Sequence, residues 1–391
     1  MFATLLPILG ITFIDILGFS ILIPIMPYFV QHFGAPKIAV GILFSVFAAC
    51  QFLSGPIWGN VSDRIGRKRV LIISQVGATL GWTLLACAPT LAWVFVARII
   101  EGASGGNISV TQAYVADRVE PEQRARAFGY VGAAFSAGIV LGPATAGILL
   151  AKYGYGTPFL LAATLQLVTL VTTIFLLPES VAAHGEKQEA ATFADIIRYL
   201  RDPSVNGVLL QKLAYSLGLY GWFSAFALVL QAQLHFGPSA TSYFFGGFGV
   251  ISIIMQLGVV GNLAERTGAR IASNIGFTSA LVFFLLVPIV HSVPTLAAVI
   301  VFFALGLSVT NATLATLLTD AAPERARGTI LGVGSSLENF AGIIMPIIST
   351  GALTLYGPAW PAFICAFFVC IALFLGLRAQ RAESAQAALS G

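Results

Sequence analysis

Charged side chains are scarce in this chain of 391 residues. Asp, Glu, Lys and Arg make up 9% of it, against about 25% in soluble domains. Hydrophobic residues make up 58%, and mean hydropathy is +0.91. That deficit excludes an ordinary soluble domain and points to an integral membrane protein. Cysteine is also sparse. Cys50, Cys87, Cys365 and Cys370 lie in apolar runs without CxxC spacing, so neither a disulfide framework nor a zinc site is indicated. HExxH, GxSxG and a phosphate loop are all missing. The four histidines (His32, His184, His235 and His291) are scattered at loops and span ends, which argues against a membrane enzyme. The formal net charge of +4 comes without a basic arm or stripe, so no nucleic-acid partner is expected. The N-terminus lacks a basic leader, and its apolar run is too long for a signal peptide. It reads as a retained first transmembrane helix.

Long apolar runs are what the chain has in abundance. A spanning helix needs roughly 20 apolar residues. Runs of that length place twelve spans at 4–30, 39–60, 70–88, 91–116, 126–150, 157–178, 205–233, 240–263, 271–290, 294–318, 328–352 and 359–377. The expected fold is all-α, with two pseudo-symmetric six-helix bundles. The domains are 1–178, a cytoplasmic linker at 179–204 and 205–391. Within the linker, FADIIRYLRDP predicts a short interfacial helix. Of the 20 Lys and Arg residues, 16 fall in even-numbered loops or the C-terminal tail, two (Lys37 and Lys152) in odd-numbered loops, and two (Arg98 and Lys212) inside spans. By the positive-inside rule, both termini face the cytoplasm of an inner-membrane protein. The halves are related: GNVSDRIGRKRV at 59–70 matches GNLAERTGARIA at 261–272, and DRVEPEQRAR at 117–126 matches DAAPERAR at 320–327. Parallel six-helix repeats around a central site form a transporter architecture.

Four motifs carry a resemblance. The first is the loop with Gly59, Asp63, Arg64, Gly66 and Arg67. Gly59 would let helices pack closely, Gly66 permits a tight turn, and Asp63 can pair with Arg67 or accept from a helix N-terminus. The C-terminal copy keeps Gly261, Glu265, Arg266 and Gly268 but has Ala269 at the position of Arg67. The second is in the fifth span: Gly129, Gly138, Gly142, Pro143 and Gly147, with Ala146 replacing one glycine of the pattern. Such spacing makes a smooth face for close helix contact. The third is Leu17-Gly18 followed by Pro24 and Pro27, whose prolines should bend or end the first helix. The fourth is Arg98 with Gly102. There Arg98, Glu101, Gly102, Gly105, Ser109 and Gln112 share one face of the fourth span.

On these motifs the chain resembles the drug:proton antiporters of the major facilitator superfamily, among them the tetracycline efflux proteins. The resemblance implies that the 59–69 loop latches the halves in the outward-facing state, with Asp117 taking part. It also implies that the fifth-span glycines mark an antiporter. Glu101 stands where the family has glutamine. The tetracycline exporters carry acids in the third and ninth helices. The corresponding spans here have none, which points to a different small organic molecule, amphiphilic or cationic.

Charges inside spans cost roughly 2.5–3.5 kcal/mol each at the bilayer centre, so Asp15, Glu101, Glu338, Arg98 and Lys212 are functional candidates. Asp15 is expected to approach Arg98. Asp15, Arg98, Glu101 and Glu338 are read as proton-coupling residues. Gln112, Lys212, Tyr215, Tyr220, Trp222, Gln256, Asn311, Asn339 and Phe340 are read as cavity residues, although Lys212 can instead snorkel to the interface. The expected function is export of a small molecule in exchange for protons by alternating access. The proton gradient serves as energy source, with no cofactor or metal and a lipid-embedded monomer as the working unit. A proton-coupled importer or facilitator of a sugar or other metabolite on the same fold is the alternative. A scaffold or receptor is the third reading.

Overall fold

The structure is a computed structural model describing residues 2–105, 110–111, 114–115, 118–119, 121–179, 193–323 and 326–390. For Asp63 and some helix-end residues it describes the backbone alone. Within these residues the regular elements are all helical. They are α1 (Phe2–His32), α2 (Ile38–Ile65), α3 (Arg67–Ala86), α4 (Leu91–Ser104), α5 (Pro121–Tyr153), α6 (Gly156–Leu176), α7 (Phe193–Arg201) and α8 (Asn206–Leu234). After them come α9 (Pro238–Met255), a π turn (Gln256–Val260), α10 (Gly261–Thr267), α11 (Ala269–Leu286), a 3₁₀ turn (Val287–Ile289), α12 (Val293–Ala321), α13 (Arg327–Tyr356) and α14 (Trp360–Ser390). Helix is the expected outcome, because lipid offers no hydrogen bonds to an open backbone. Eleven helical stretches among the described residues are long and apolar enough to cross a membrane, with α9, the π turn and α10 forming one of them. They coincide with every expected span except the fourth. The short helix expected from FADIIRYLR is α7.

Two expectations need correction here. The prolines do not end the first helix: α1 contains Pro7, Pro24 and Pro27 and runs on to His32. Ser20 Oγ, on the residue four before Pro24, bonds elsewhere, and in the last turn Gln31 Nε2 donates back to the Pro27 carbonyl at 2.9 Å. The fourth span is not one continuous helix. α4 stops at Ser104, Gly105 is extended at φ −70° and ψ 110°, and described helical residues resume at 110.

The chain forms two compact units, one of residues 1–187 and 236–249, the other of 188–235 and 250–391. The opening turns of α9 thus belong with the first unit and its later turns with the second. In the first unit α1 packs on α5 and α6, while α3 and α2 pack on α4. One core cluster joins Leu5, Ile8 and Ile11 of α1 to Val70, Leu71, Tyr114 and Leu177. The opening turns of α9 lie against α5, where Gly246 meets Ala144 and Gly249 meets Val140. In the second unit α8 packs on α13 and α14, and α11 on α12 and α14. Its centre is aromatic: Trp222 is fully buried among Phe226, Phe283 and Phe284, with Phe303 stacked on Phe283. Leu53, Ile57, Phe175, Leu257, Leu355 and Phe374 point outward. An apolar exterior of this kind suits lipid rather than water.

Candidate functional site

Asp15 sits half-buried on α1, and the seam around it is made by glycine. A Cβ at Gly138 of α5 would lie 2.8 Å from the Phe13 carbonyl and 2.9 Å from the Leu17 nitrogen. One at Gly142 would lie 2.6 Å from the Leu17 carbonyl. Ser20 Oγ donates across the seam to the Gly138 carbonyl at 2.8 Å. Two of the fifth-span glycines therefore bring α5 backbone to α1 backbone on both sides of the acid. A Cβ at Gly147 would lie 3.0 Å from the Tyr243 ring and 3.2 Å from Ser242 Cβ, side chains at the start of α9, whereas one at Gly129 would meet open space.

Arg98 of α4 is fully buried and forms an ion pair with Glu101, one turn along the same helix. Its guanidinium lies 3.9 Å over the Phe47 ring of α2. Glu101 is a carboxylate at ion-pair distance from Arg98. The spacing i, i+3 already allowed this pairing. Arg98 Nε and Nη2 have no hydrogen-bond partner among the described residues. Both sides of α4 are tight: a Cβ at Gly102 would lie 2.7 Å from the Phe47 carbonyl, and one at Gly81 of α3 would lie 3.2 Å from Glu101 Cβ.

The break just beyond this pair is held by side chains. Ser54 Oγ of α2 donates to the carbonyls of Gly102 and Gly105, at 3.1 Å each. Trp58 Nε1 donates to the Ala103 carbonyl at 2.7 Å, and Ser74 Oγ of α3 donates to the Ser104 carbonyl. Four successive carbonyls at a helix end, normally left orphaned, are thus supplied by two neighbouring helices. Glycine-rich sequence lowers the cost of leaving the helix here. Ser54, Trp58 and Ser74 were not singled out from the sequence, because a capping role depends on what the facing helix lacks. Gln112 and Asp117 lie outside the described residues.

In the second unit the two remaining in-span charges meet. Lys212 Nζ of α8 lies 2.7 Å from Glu338 Oε1 of α13. Lys212 does not extend freely to an interface: its methylenes lie against Gly334, where a Cβ would come within 3.0 Å of Cε. Tyr220 is near enough to Glu338 to feel its charge, and Asn339 is half-buried beside it. Tyr215 and Trp222 are core residues packed on Phe277 and on Phe283 respectively. Gln256, at the start of the π turn, and Asn311 and Phe340 are exposed. π turns are frequent at functional sites.

The 59–69 loop turns at Gly66, with φ 99° and ψ 151°, between α2 and α3. Arg67 Nη1 donates to Ser62 Oγ at 2.5 Å. Among the described residues a Cβ at Gly59 would meet nothing within 4 Å. Among the described side chains the acid at the turn is Glu179, a residue of the expected linker. Its Oε1 accepts from the Lys68 backbone N–H at 3.1 Å, at the N-terminus of α3, where a helix favours negative charge. Lys68 Nζ donates to the Ile174 carbonyl at 2.8 Å, and Arg118 Nη2 to the Glu179 carbonyl at 3.0 Å. The second unit repeats the plan: Gly268 turns at φ 81°, and Arg270 pairs with Glu383 of α14 at 2.8 Å. An acid following the last span of each half, opposite a basic loop, is the signal that could have revealed both.

Comparison with known proteins follows the same lines. The model of the Major Facilitator Superfamily matches residues 8–270 and 208–390. The class C tetracycline resistance protein of Escherichia coli is 28% identical over 379 residues, covering 94% of this chain and 95% of that protein. The class D protein of Salmonella ordonez is 30% identical over 352 residues, 87% of each chain. Multidrug resistance protein 2 of Bacillus subtilis (strain 168) is 24% identical over 385 residues, covering 97% and 95%. Among solved structures, the human organic anion transporter MFSD10 (TETRAN) superposes with TM-score 0.73 at 21% identity, covering 95% of this chain and 98% of that one. The nucleoside transporter NupG superposes with TM-score 0.79 at 12% identity, covering 96% and 98%.

Proposed function

The chain belongs to the Major Facilitator Superfamily, and from that premise we propose that this transporter exports a small organic molecule in exchange for protons. The observation that carries the proposal is the glycine seam: Gly138 and Gly142 bring α5 onto α1 at Asp15. The near full-length relatives named for tetracycline and multidrug resistance support it. The working architecture is twelve spans in two six-helix halves operating by alternating access, the fourth span being α4 with the helical residues that follow it. The protein is a monomer of the inner membrane with both termini cytoplasmic, driven by the proton gradient alone. Asp15 and the Arg98–Glu101 pair serve proton coupling in the first half. In the outward-facing state the 59–69 loop acts as the latch.

The third and ninth spans contain no acid, which favours an amphiphilic or cationic substrate over a metal–tetracycline chelate. Everted membrane vesicles provide the test. Adding an exported compound to vesicles holding a preformed proton gradient is expected to dissipate it. A panel of exported amphiphiles and cations that leaves the gradient untouched would overturn exchange and favour an importer or facilitator.

A further inference from the structure

We propose that the Lys212–Glu338 pair is an exchange site for a monovalent organic cation, and that the proton released in the exchange leaves from the Lys212 ammonium. This rests on the exporter reading and assigns a second coupling site to it. From the sequence, Glu338 can bind a cationic substrate or carry a second proton. The geometry points to a division of labour, in which the carboxylate takes the cation and the lysine carries the proton.

Three observations support this. The pair spans α8 and α13 at 2.7 Å, so each charge is the other's compensation inside a membrane-spanning unit. The lysine is held from behind. Its Cε and Cδ would lie 3.0 and 3.2 Å from a Cβ at Gly334, and Leu318 of α12 closes the same spot at 3.4 Å. The carboxylate is the more open partner, its side chain 33% exposed against 17% for the lysine. An incoming ligand therefore meets Glu338 first, and a carboxylate recruits a cation. The groups that face the pair are few. α8 itself offers Tyr220, which senses Glu338. α12 offers Leu318 at Gly334, and α14 offers the Cys365 thiol against Gly221. The remaining charged residues of the packed elements are Asp195, Arg198 and Arg201 on α7, Asp320 on α12, and Arg378, Arg381 and Glu383 on α14.

The exchange balances. At rest the ammonium and carboxylate sum to zero charge. A cation docking on Glu338 opens the ion pair and sets a second positive charge beside the ammonium, and a like charge disfavours the protonated form. One N–H bond breaks, the proton passes to water, and Lys212 becomes a neutral amine. One positive charge enters and one leaves, so the site stays neutral. On the outer side a proton returns to Lys212, the ion pair re-forms and the cation is expelled.

The test uses purified full-length protein in detergent, a weak buffer with a pH-indicator dye, and tetraphenylphosphonium, a cation with no proton of its own. Wild type is expected to bind it and release about one proton per cation bound. Lys212→Arg should bind it and release none, because a guanidinium stays protonated. Glu338→Gln should lose binding at least tenfold, whereas Glu338→Asp, which keeps the carboxylate, should retain it. Three results would overturn the proposal: no binding at millimolar tetraphenylphosphonium, an unchanged proton yield in Lys212→Arg, or binding of benzoate with proton uptake, which would make the pair an anion site. Vesicle assays separate the two proposals. If coupled export of tetraphenylphosphonium persists in Lys212→Arg, the exchange site falls and the exporter reading stands. If wild-type vesicles show no coupled transport while the proton yields hold, the exporter reading falls and the exchange site stands.

Discussion

Gly138 and Gly142 matter for what they leave out. A methyl group at Gly138 would press on backbone atoms of α1 at 2.8 and 2.9 Å, and backbone cannot swing aside. Gly138→Val is expected to cost about 1–3 kcal/mol, the range for overpacking, read as a lower melting temperature in detergent. Gly129→Val, whose Cβ faces open space, should leave the melt unchanged and serves as the control. Arg98 has the opposite character, being large, charged and wholly enclosed. Arg98→Met strands the Glu101 carboxylate. The expected loss is about 3–5 kcal/mol, the penalty for removing one partner of a buried pair, and adding Glu101→Gln should recover much of it. Outside the membrane, Asp202 accepts from both the backbone N–H and the hydroxyl of Ser204, at 3.0 and 2.7 Å. Chiefly through that backbone bond, its carboxyl is held below the usual range. Because the folded value is depressed, the turn's stabilisation is present at neutral pH and is lost as pH falls through that lowered value. Hydrogen exchange at the Ser204 amide should quicken over that acidic window in wild type and show no such step in Asp202→Ala.

The break in the fourth span is a property of three helices together. Ser54, Trp58 and Ser74 take the carbonyls that a continuing helix would have bonded. Ser54→Ala removes the donor for two of them. The Gly102 carbonyl keeps the Gly105 N–H at 3.0 Å, while an orphaned acceptor costs about 1–3 kcal/mol where it is buried, so the variant should melt somewhat earlier than wild type. Cysteine labelling at Cys50, one turn before Ser54 on α2, should also quicken. An unchanged melt and labelling rate would mean that the carbonyls find other donors. The two turns after α2 and α10 form a matched pair. Each has a glycine at positive φ; two positions on, the Lys68 backbone N–H bonds to Glu179 in the first and the Arg270 guanidinium bonds to Glu383 in the second. Duplicated sequence at 59–70 and 261–272 has thus kept duplicated geometry.

For the molecule as a whole, one variant tests the coupling scheme directly. Asp15→Asn is expected to fold and to lose proton-driven export, read as substrate efflux from vesicles under an imposed gradient. Export at the full rate would remove Asp15 from the coupling path. Much of the architecture was legible in the chain alone. Long apolar runs, helix-only backbone satisfaction in lipid, the internal repeat and the glycine spacing of the fifth span each follow from local composition or periodicity. Eleven of the spans appear as helices accordingly. The charged residues were legible too, since a charge in an apolar run declares itself by its cost. What each charge faces was not. The pairing of Lys212 with Glu338 joins residues 126 positions apart, and Arg98 meets Glu101 on its own helix. The place where the fourth span stops was equally hidden, because it depends on donors from α2 and α3. Periodicity tells which side of a helix is polar, whereas pairing depends on the rotation and depth of two helices packed together, and only the tertiary structure sets those.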